Sequence, residues 1–275
     1  MSVWKIGLMQ GRILPDDIHL LQFFPSKWQD EMQLFKAVGF DFMEILADKA
    51  LSDFNPLYSD EGWSGFGRLS RELRLPAPML CADYFTEFPF TGETAAASRA
   101  ILLEILGKMD SLGVGGIVLP FFAKGEVSSP VELEEVLRGL GEGLKFAADH
   151  SIRLLVECTL CAGDTCDALD RLNGDNDGPF ALCLDLGNAM SRGFDPVDEI
   201  AAAGKRIGHV HIKDCRFNTP GNRLLGEGDV DFPACFRALE RIGYTGLLSL
   251  ETAMGEDPLE TAKRHLGMVN NWLKK

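Results

Sequence analysis

This chain has no apolar run long enough to span a bilayer, and its opening residues, Met-Ser-Val-Trp-Lys-Ile-Gly-Leu-Met, lack the charged start, apolar core and small-residue cleavage site of a secretion signal. A cytoplasmic protein without membrane contact is therefore expected. Positive charge is also in short supply: 27 Lys and Arg against 41 Asp and Glu leave a formal net charge of −14. Such a surface repels a phosphate backbone and disfavours nucleic acid as a partner, although a local Arg or Lys cluster still leaves room for a small anion. The seven cysteines, Cys81, Cys158, Cys161, Cys166, Cys183, Cys215 and Cys235, are odd in number and scattered, as expected of reduced thiols. Cys158, Cys161 and Cys166 are close in sequence, but one follows a strand and the other two fall in a short loop, so buried apolar thiols are expected there and not a cluster site. Finally, no composition break, Pro/Ser-rich linker or charge run divides the 275 residues, which predicts one domain over 1–275.

With 46% hydrophobic and 25% charged residues, the chain has the composition of a globular protein with a large core. Strand-like runs recur at Val3–Met9, Phe40–Leu46, Ala77–Cys81, Gly116–Phe121, Ile152–Cys158, Phe180–Asp185, Ile207–Ile212 and Leu247–Glu251. Helix-like spacing follows each of them, at Lys27–Val38, Glu61–Leu73, Ala95–Leu112, Pro130–His150, Cys166–Leu172, Pro196–Ala203, Phe232–Ile242 and Pro258–Leu273. Gly39, Gly113 and Gly243 each stand between two hydrophobes where a helix should end, the pattern of a glycine C-cap. Strand–helix alternation repeated in this way predicts an α/β fold, a single (β/α)8 TIM barrel with its active site at the C-terminal ends of the strands. The longest irregular stretches, Gln10–Ser26, Cys81–Thr94 and Cys215–Asp231, all follow strands and fall on that side.

The last four strands each finish on a metal-competent side chain: Glu157, Asp185, His211 and Glu251. Alternation puts Leu155 with Glu157, Cys183 with Asp185, His209 with His211 and Ser249 with Glu251 on one face, the polar member last. Apolar fillers capped by three carboxylates and an imidazole describe a barrel interior with a catalytic rim. Hard oxygen donors with one imidazole suit a single divalent ion, Mn²⁺, Mg²⁺, Co²⁺ or Zn²⁺. His209 lies one layer deeper, where a satisfied core imidazole is expected.

Six runs in order, Gly7-Leu-Met-Gln-Gly-Arg12, Val156-Glu157, Leu184-Asp-Leu-Gly-Asn188, His209-Val-His-Ile-Lys-Asp214, Leu225-Gly-Glu-Gly-Asp229 and Leu250-Glu251, make the chain resemble the xylose isomerase-like barrel superfamily over essentially its full length. That superfamily comprises sugar and sugar-phosphate isomerases and epimerases. The resemblance implies that Glu157, Asp185, His211 and Glu251 bind one divalent metal ion, with Glu157 and Glu251 also acting as the acid/base pair of a proton transfer through an enediolate. It implies a small-molecule sugar or sugar phosphate as partner, and a homo-oligomer is compatible with it. Further reactions share the fold: an inosose-type dehydratase also begins with removal of a proton beside a carbonyl, and a barrel kept only for sugar binding is another reading. An apurinic endonuclease needs further histidines on the early strands, where the sequence has only His19, in a loop.

By the same resemblance, the polar strand ends Gln10, Glu44 and Asp83 line the substrate cleft; Asp83 can instead cap its loop. Lys213 shares the inward parity of His211 and is placed to reach a substrate oxygen. Asn188 departs from the Asp-x-Gly-His run of many free-sugar epimerases and is closer to the ketose-phosphate branch. A phosphate is expected near Arg216, Arg223 and the glycine-rich run Gly226–Gly228, because barrels bind phosphate by their last strands; an ordinary surface loop is the alternative. Phe121, Phe122 and Trp63 are candidate walls for the sugar, or simple packing.

Overall fold

The computed structural model describes residues 4–14, 24–174 and 178–274, so Val3, His19 and the middle of the loop after the first strand lie outside the described residues. In chain order the elements are β1 (Ile6–Met9), α1 (Trp28–Val38), β2 (Phe42–Leu46), α2 (Asp60–Leu73), β3 (Met79–Cys81), α3 (Tyr84–Glu87), α4 (Ala95–Leu112), β4 (Gly116–Phe121), α5 (Pro130–Arg138), α6 (Glu142–Asp149) and β5 (Arg153–Cys158). They continue with α7 (Ala162–Asn173), β6 (Phe180–Asp185), α8 (Leu186–Ser191), α9 (Pro196–Ala203), β7 (Ile207–Ile212), β8 (Asp214–Arg216), β9 (Thr219–Arg223), α10 (Phe232–Arg241), β10 (Leu248–Leu250) and α11 (Pro258–Trp272). Eight parallel strands close into a barrel in the order β1-β10-β7-β6-β5-β4-β3-β2, which is the predicted TIM barrel. No helix among the described residues is long and apolar enough to cross a membrane.

Strand pairing carries each inward position to its neighbour. Cys81, Val118, Leu155 and Ala181 pair in register across β3, β4, β5 and β6. Two glycines make room for bulky partners: a Cβ on Gly7 would stand 2.3 Å from the Phe42 ring, and one on Gly208 would stand 2.5 Å from Leu155 Cδ2. Gly208 has a second effect. The β6–β7 register shifts there, so Leu182 pairs with Ile207 but Cys183 pairs with His209 and Asp185 with His211. A bulge of one residue changes which side chains stand opposite each other. Here it sets the imidazole beside the carboxylate.

Glycine C-caps at Gly39 and Gly113 adopt positive φ, 96° and 71°, as the sequence pattern predicted. Other expectations need correction. The single helix expected over Pro130–His150 is two, because α5 ends at Gly139 and the chain turns through Gly141 at φ 58°. The helix expected at Cys166–Leu172 begins four residues earlier, so Cys166 is buried in α7 and Cys161 is its N-cap, neither in a free loop. The stretch Cys215–Asp231, expected to be irregular, contains the antiparallel hairpin β8–β9. Helix α8 was not anticipated: Asp185 caps it by accepting a hydrogen bond from the Asn188 amide at 2.7 Å.

The hairpin is tied down by the fully buried Asp214, whose Oδ2 accepts from the amides of Gly226 at 2.8 Å and Gly228 at 3.0 Å. No side chain fits at Gly228, where a Cβ would meet Asp214 Oδ1 at 2.1 Å. Gly226 is exposed and Gly228 partly so, so replacing Asp214 with Ala removes two hydrogen bonds without stranding their donors and should lower stability by about 1–3 kcal/mol, at about 0.5–1.5 kcal/mol per bond. The urea midpoint of the variant measures this directly, and an unchanged midpoint rules out a structural role for the tie.

Candidate active site

Glu157 ends its strand next to last, Asp185 is the last residue of β6, His211 is next to last in β7, and Glu251 follows β10 directly. These are four consecutive strands of the closed barrel, with Glu157 and Glu251 the outer pair. One donor atom from each of the four side chains lies within 4.8 Å of the other three. His211 Nδ1 stands 3.1 Å from Glu251 Oε2 and 3.6 Å from Glu157 Oε2. All four residues that the sequence proposed as ligands are thus brought together.

Each candidate ligand is oriented by a second contact. Glu157 Oε1 accepts from Asn188 Nδ2 at 2.7 Å, and Glu251 Oε1 accepts from Lys213 Nζ at 2.9 Å. The Arg12 guanidinium lies 3.7 Å from the same Glu251 oxygen. His211 Nε2 faces Glu44 Oε1 at 3.0 Å; a carboxylate accepts, so a proton sits on Nε2, and Nδ1 is the nitrogen turned to the other three side chains, where a bound ion would displace any proton it carries. His211 Nδ1 and Asp185 Oδ2 are buried and have no hydrogen-bond partner. Two orphaned buried atoms aimed into a set of oxygen donors fit a bound divalent ion. The neighbouring triplet of Glu44, His209 and His211 fits less well, since both imidazoles already use their Nε2 atoms on Glu44.

The electrostatics split the two glutamates. Burial pushes Glu157 up to about 8; His211 and Lys213 oppose this, while the nearby charges of Asp185 and Glu251 add to it. Burial acts on Glu251 in the same sense, but Lys213, His211 and Arg12 outweigh it and hold that carboxyl well below the usual range. Asp185 is raised to about 6, again chiefly by burial. Glu44 is also fully buried, yet His211 and His209 together hold it well below an ordinary glutamate.

A cavity of about 450 Å³ opens over the ligands, lined by Glu157, Glu251, Lys213, Asn188, Asp83, Phe122, Lys49, Ser191, Arg192 and Pro220 among others. Asp83, Asn188 and Lys213 therefore stand where the sequence put them. Asp83 makes no capping bond, and burial together with the charge of Glu251 raises it to about 6. Glu44 does not reach the cavity: it has no exposed surface and lies beneath the ligands, bridging His211 and His209. His209 is a core imidazole, as its depth suggested, but only half satisfied: Nε2 is bonded to Glu44 and the buried Nδ1 has no hydrogen-bond partner. Gln10 is also fully buried and outside the lining, because it shares the parity of Leu8 and its Oε1 accepts from the Leu46 amide at 3.2 Å. Trp63 packs on Phe66 in α2 and donates to the Lys108 carbonyl, and Phe121 is core; only Phe122 of the three aromatics walls the cavity.

Arg216 and Arg223 sit on the exposed hairpin and are not among the lining side chains, which the hairpin reaches through Pro220. The amides of Gly226 and Gly228 are occupied by Asp214. Sequence reasoning missed Lys49 and Arg192. Arg192 could have been found four residues after Asn188 had the helix α8 been recognised; Lys49 carries no signal beyond its place in a loop after a strand.

A model of the xylose isomerase-like TIM barrel family matches residues 32–274. Over 262 residues the chain is 30% identical to L-ribulose-5-phosphate 3-epimerase UlaE of Escherichia coli (strain K12), covering 90% of this chain and 89% of that protein. Among solved structures it is similar to a xylose isomerase domain protein from Planctomyces limnophilus, with a TM-score of 0.76 at 18% identity over 98% of this chain and 96% of the other. It is likewise similar to 3-keto-D-glucoside 4-epimerase YcjR from E. coli, with a TM-score of 0.73 at 18% identity over 98% and 99% of the two chains. At such identities the structural likeness speaks for the fold.

Exchanging Glu44 for Gln keeps its shape but removes the charge that orients His211. Metal affinity measured by competition with a chelating dye should fall about ten- to a hundredfold, the scale of lost support behind a ligand. Undiminished affinity in a folded variant contradicts the orienting role.

Proposed function

The chain belongs to the xylose isomerase-like TIM barrel family, and from that premise we propose that it is a divalent-metal-dependent epimerase or isomerase of a ketose or ketose phosphate. The observation that carries this reading is the meeting of Glu157, Asp185, His211 and Glu251 at the floor of an open cavity. Relatives of the enzyme are sugar-phosphate epimerases, which puts it in the isomerase class.

Glu157, Asp185, His211 and Glu251 would hold a divalent ion, Mn²⁺, Co²⁺, Mg²⁺ or Zn²⁺, which would supply the Lewis acidity that makes the carbon beside a carbonyl acidic. The rest is work for side chains. Glu157 and Glu251 flank the ligand set from β5 and from the end of β10, so a sugar lying over it has one carboxyl on either side. One carboxylate takes the proton from the carbon next to the carbonyl and the other delivers a proton to the opposite face, which inverts that centre. Asn188 donates to Glu157 and Lys213 to Glu251, so each carboxyl is held in a fixed plane. Lys213 and Asp83 also face the cavity, where they can hold sugar hydroxyls.

Metal-loaded Glu157→Gln and Glu251→Gln should each lose turnover about a hundredfold or more, the scale of a lost general base. Incubation with a panel of ketoses and ketose phosphates in deuterated water reports the step itself. The parent should incorporate deuterium beside the carbonyl and return an epimer or isomer. Exchange at the parent rate in either fully loaded variant removes that residue from the acid/base pair, and a product lighter by one water marks a dehydratase.

A further inference from the structure

Among the described residues, the cavity wall carries three cationic side chains, and they differ in what they are committed to. Lys213 is bound to Glu251 at 2.9 Å and lies 3.5 Å from Asp185, so its charge is used within the ligand set. Lys49 makes no direct hydrogen bond or close ion pair with a described residue, although its charge acts at longer range on Asp83 and Glu87. Its backbone is nonetheless fixed, because the preceding Asp48 is fully buried and accepts from Asn55 Nδ2 at 2.9 Å. The Arg192 guanidinium lies over the Phe122 ring at 5.7 Å, and its one carboxylate neighbour is the half-exposed Glu126 at 3.8 Å. A solvated pair at that distance contributes little and is readily given up to a stronger anion. Stacking on an aromatic face meanwhile holds the planar donor fork in place.

Position gives these two cations a role. Asn188, bonded to Glu157, and Arg192 are one helical turn apart at the end of α8, so Arg192 stands about 6 Å further out along the helix axis. Ser191 also lines the cavity there, but its hydroxyl already donates to the Asn188 carbonyl at 2.9 Å. A sugar whose carbonyl end lies at the two glutamates runs its far end toward this outer ground. Its approach is opposed by a protein of net charge −14 and by three carboxylates at the floor with Glu44 beneath them, so a dianionic tail needs local positive charge well away from them.

Resting on the epimerase reading above, we propose that Arg192 and Lys49 form the anion clamp of this cavity and bind the terminal phosphate of a ketose phosphate. Arg192 supplies the paired N–H donors that match two phosphate oxygens, and Lys49 the second charge from the loop after β2. The substrate class is therefore the phosphate ester in preference to the free sugar. The clamp acts through binding, so its loss falls on KM more than on kcat.

The test uses the metal-loaded enzyme with free ketopentoses and ketohexoses and their terminal phosphate esters, scored as the ratio of kcat/KM for ester over free sugar. In Arg192→Ala and in Lys49→Ala this ratio should fall about tenfold or more through a raised KM for the ester, with Arg192→Lys between parent and Ala. A ratio within about twofold of the parent's in both Ala variants overturns the clamp, as does a fall confined to Arg216→Ala. Deuterium exchange separates this failure from that of the underlying reading. A parent that exchanges free ketoses without preferring their esters overturns the clamp and leaves the epimerase standing, whereas a parent that exchanges neither removes both.

Discussion

Three carboxylates crowded at one buried point cannot all be ionised without cations among them, and the rest of this site is organised around that repulsion. Glu157, Asp185 and Glu251 are at least five-sixths buried, where desolvation alone drives each toward its neutral form. Lys213 and Arg12 offset part of the cost and do so unevenly, since both lie against Glu251 and neither bonds Glu157. The imidazole of His211 completes the set, with its outer nitrogen unsatisfied. A divalent ion would satisfy the orphaned nitrogen and the crowded oxygens at once. Glu44, below, carries a fourth negative charge into the same region, and it is compensated separately by two imidazoles.

The barrel makes this crowding possible because four neighbouring strands deliver their last inward positions to one ring. That delivery depends on local devices. The register shift at Gly208 sets His211 opposite Asp185, and a residue with a side chain there would drive into Leu155. Asp185 divides its two oxygens between tasks: Oδ1 starts helix α8, while Oδ2 stays open to the ligand set. The helix that it starts returns Asn188 to Glu157 and sends Arg192 to the outer wall. One carboxylate thus links the ligands, the orientation of the first glutamate and the cation at the rim.

Much of this was legible in the sequence, for a specific reason. Strand periodicity reports which side chains share a face, and a polar residue closing an apolar run reports the end of a strand, so the meeting of the four candidate ligands and the inward Lys213 could be read directly. Where the same reasoning went astray, a competing contact decided the outcome. Gln10 is polar and near a strand end but has the outward parity of Leu8, which should have excluded it from the cleft. Glu44 has the right parity but sits one level too low, a matter of strand stagger that no single strand reveals. Gly226 and Gly228 resemble an anion-binding loop, yet their amides are taken by Asp214, a partner twelve and fourteen residues away. The break between α5 and α6 was written in Gly139 and Gly141, whereas helix α8 is too short to leave an amphipathic pattern and announces itself only through its cap.

The central claim is that these strand ends form a single metal centre in which His211 binds through Nδ1 because Glu44 holds the proton on Nε2. Anomalous scattering from crystals grown with Mn²⁺ tests it most directly. The account predicts one strong peak at about 2.0–2.3 Å from His211 Nδ1 and from oxygens of Glu157, Asp185 and Glu251. A peak between Glu44, His209 and His211, or an ion held through His211 Nε2, would contradict it.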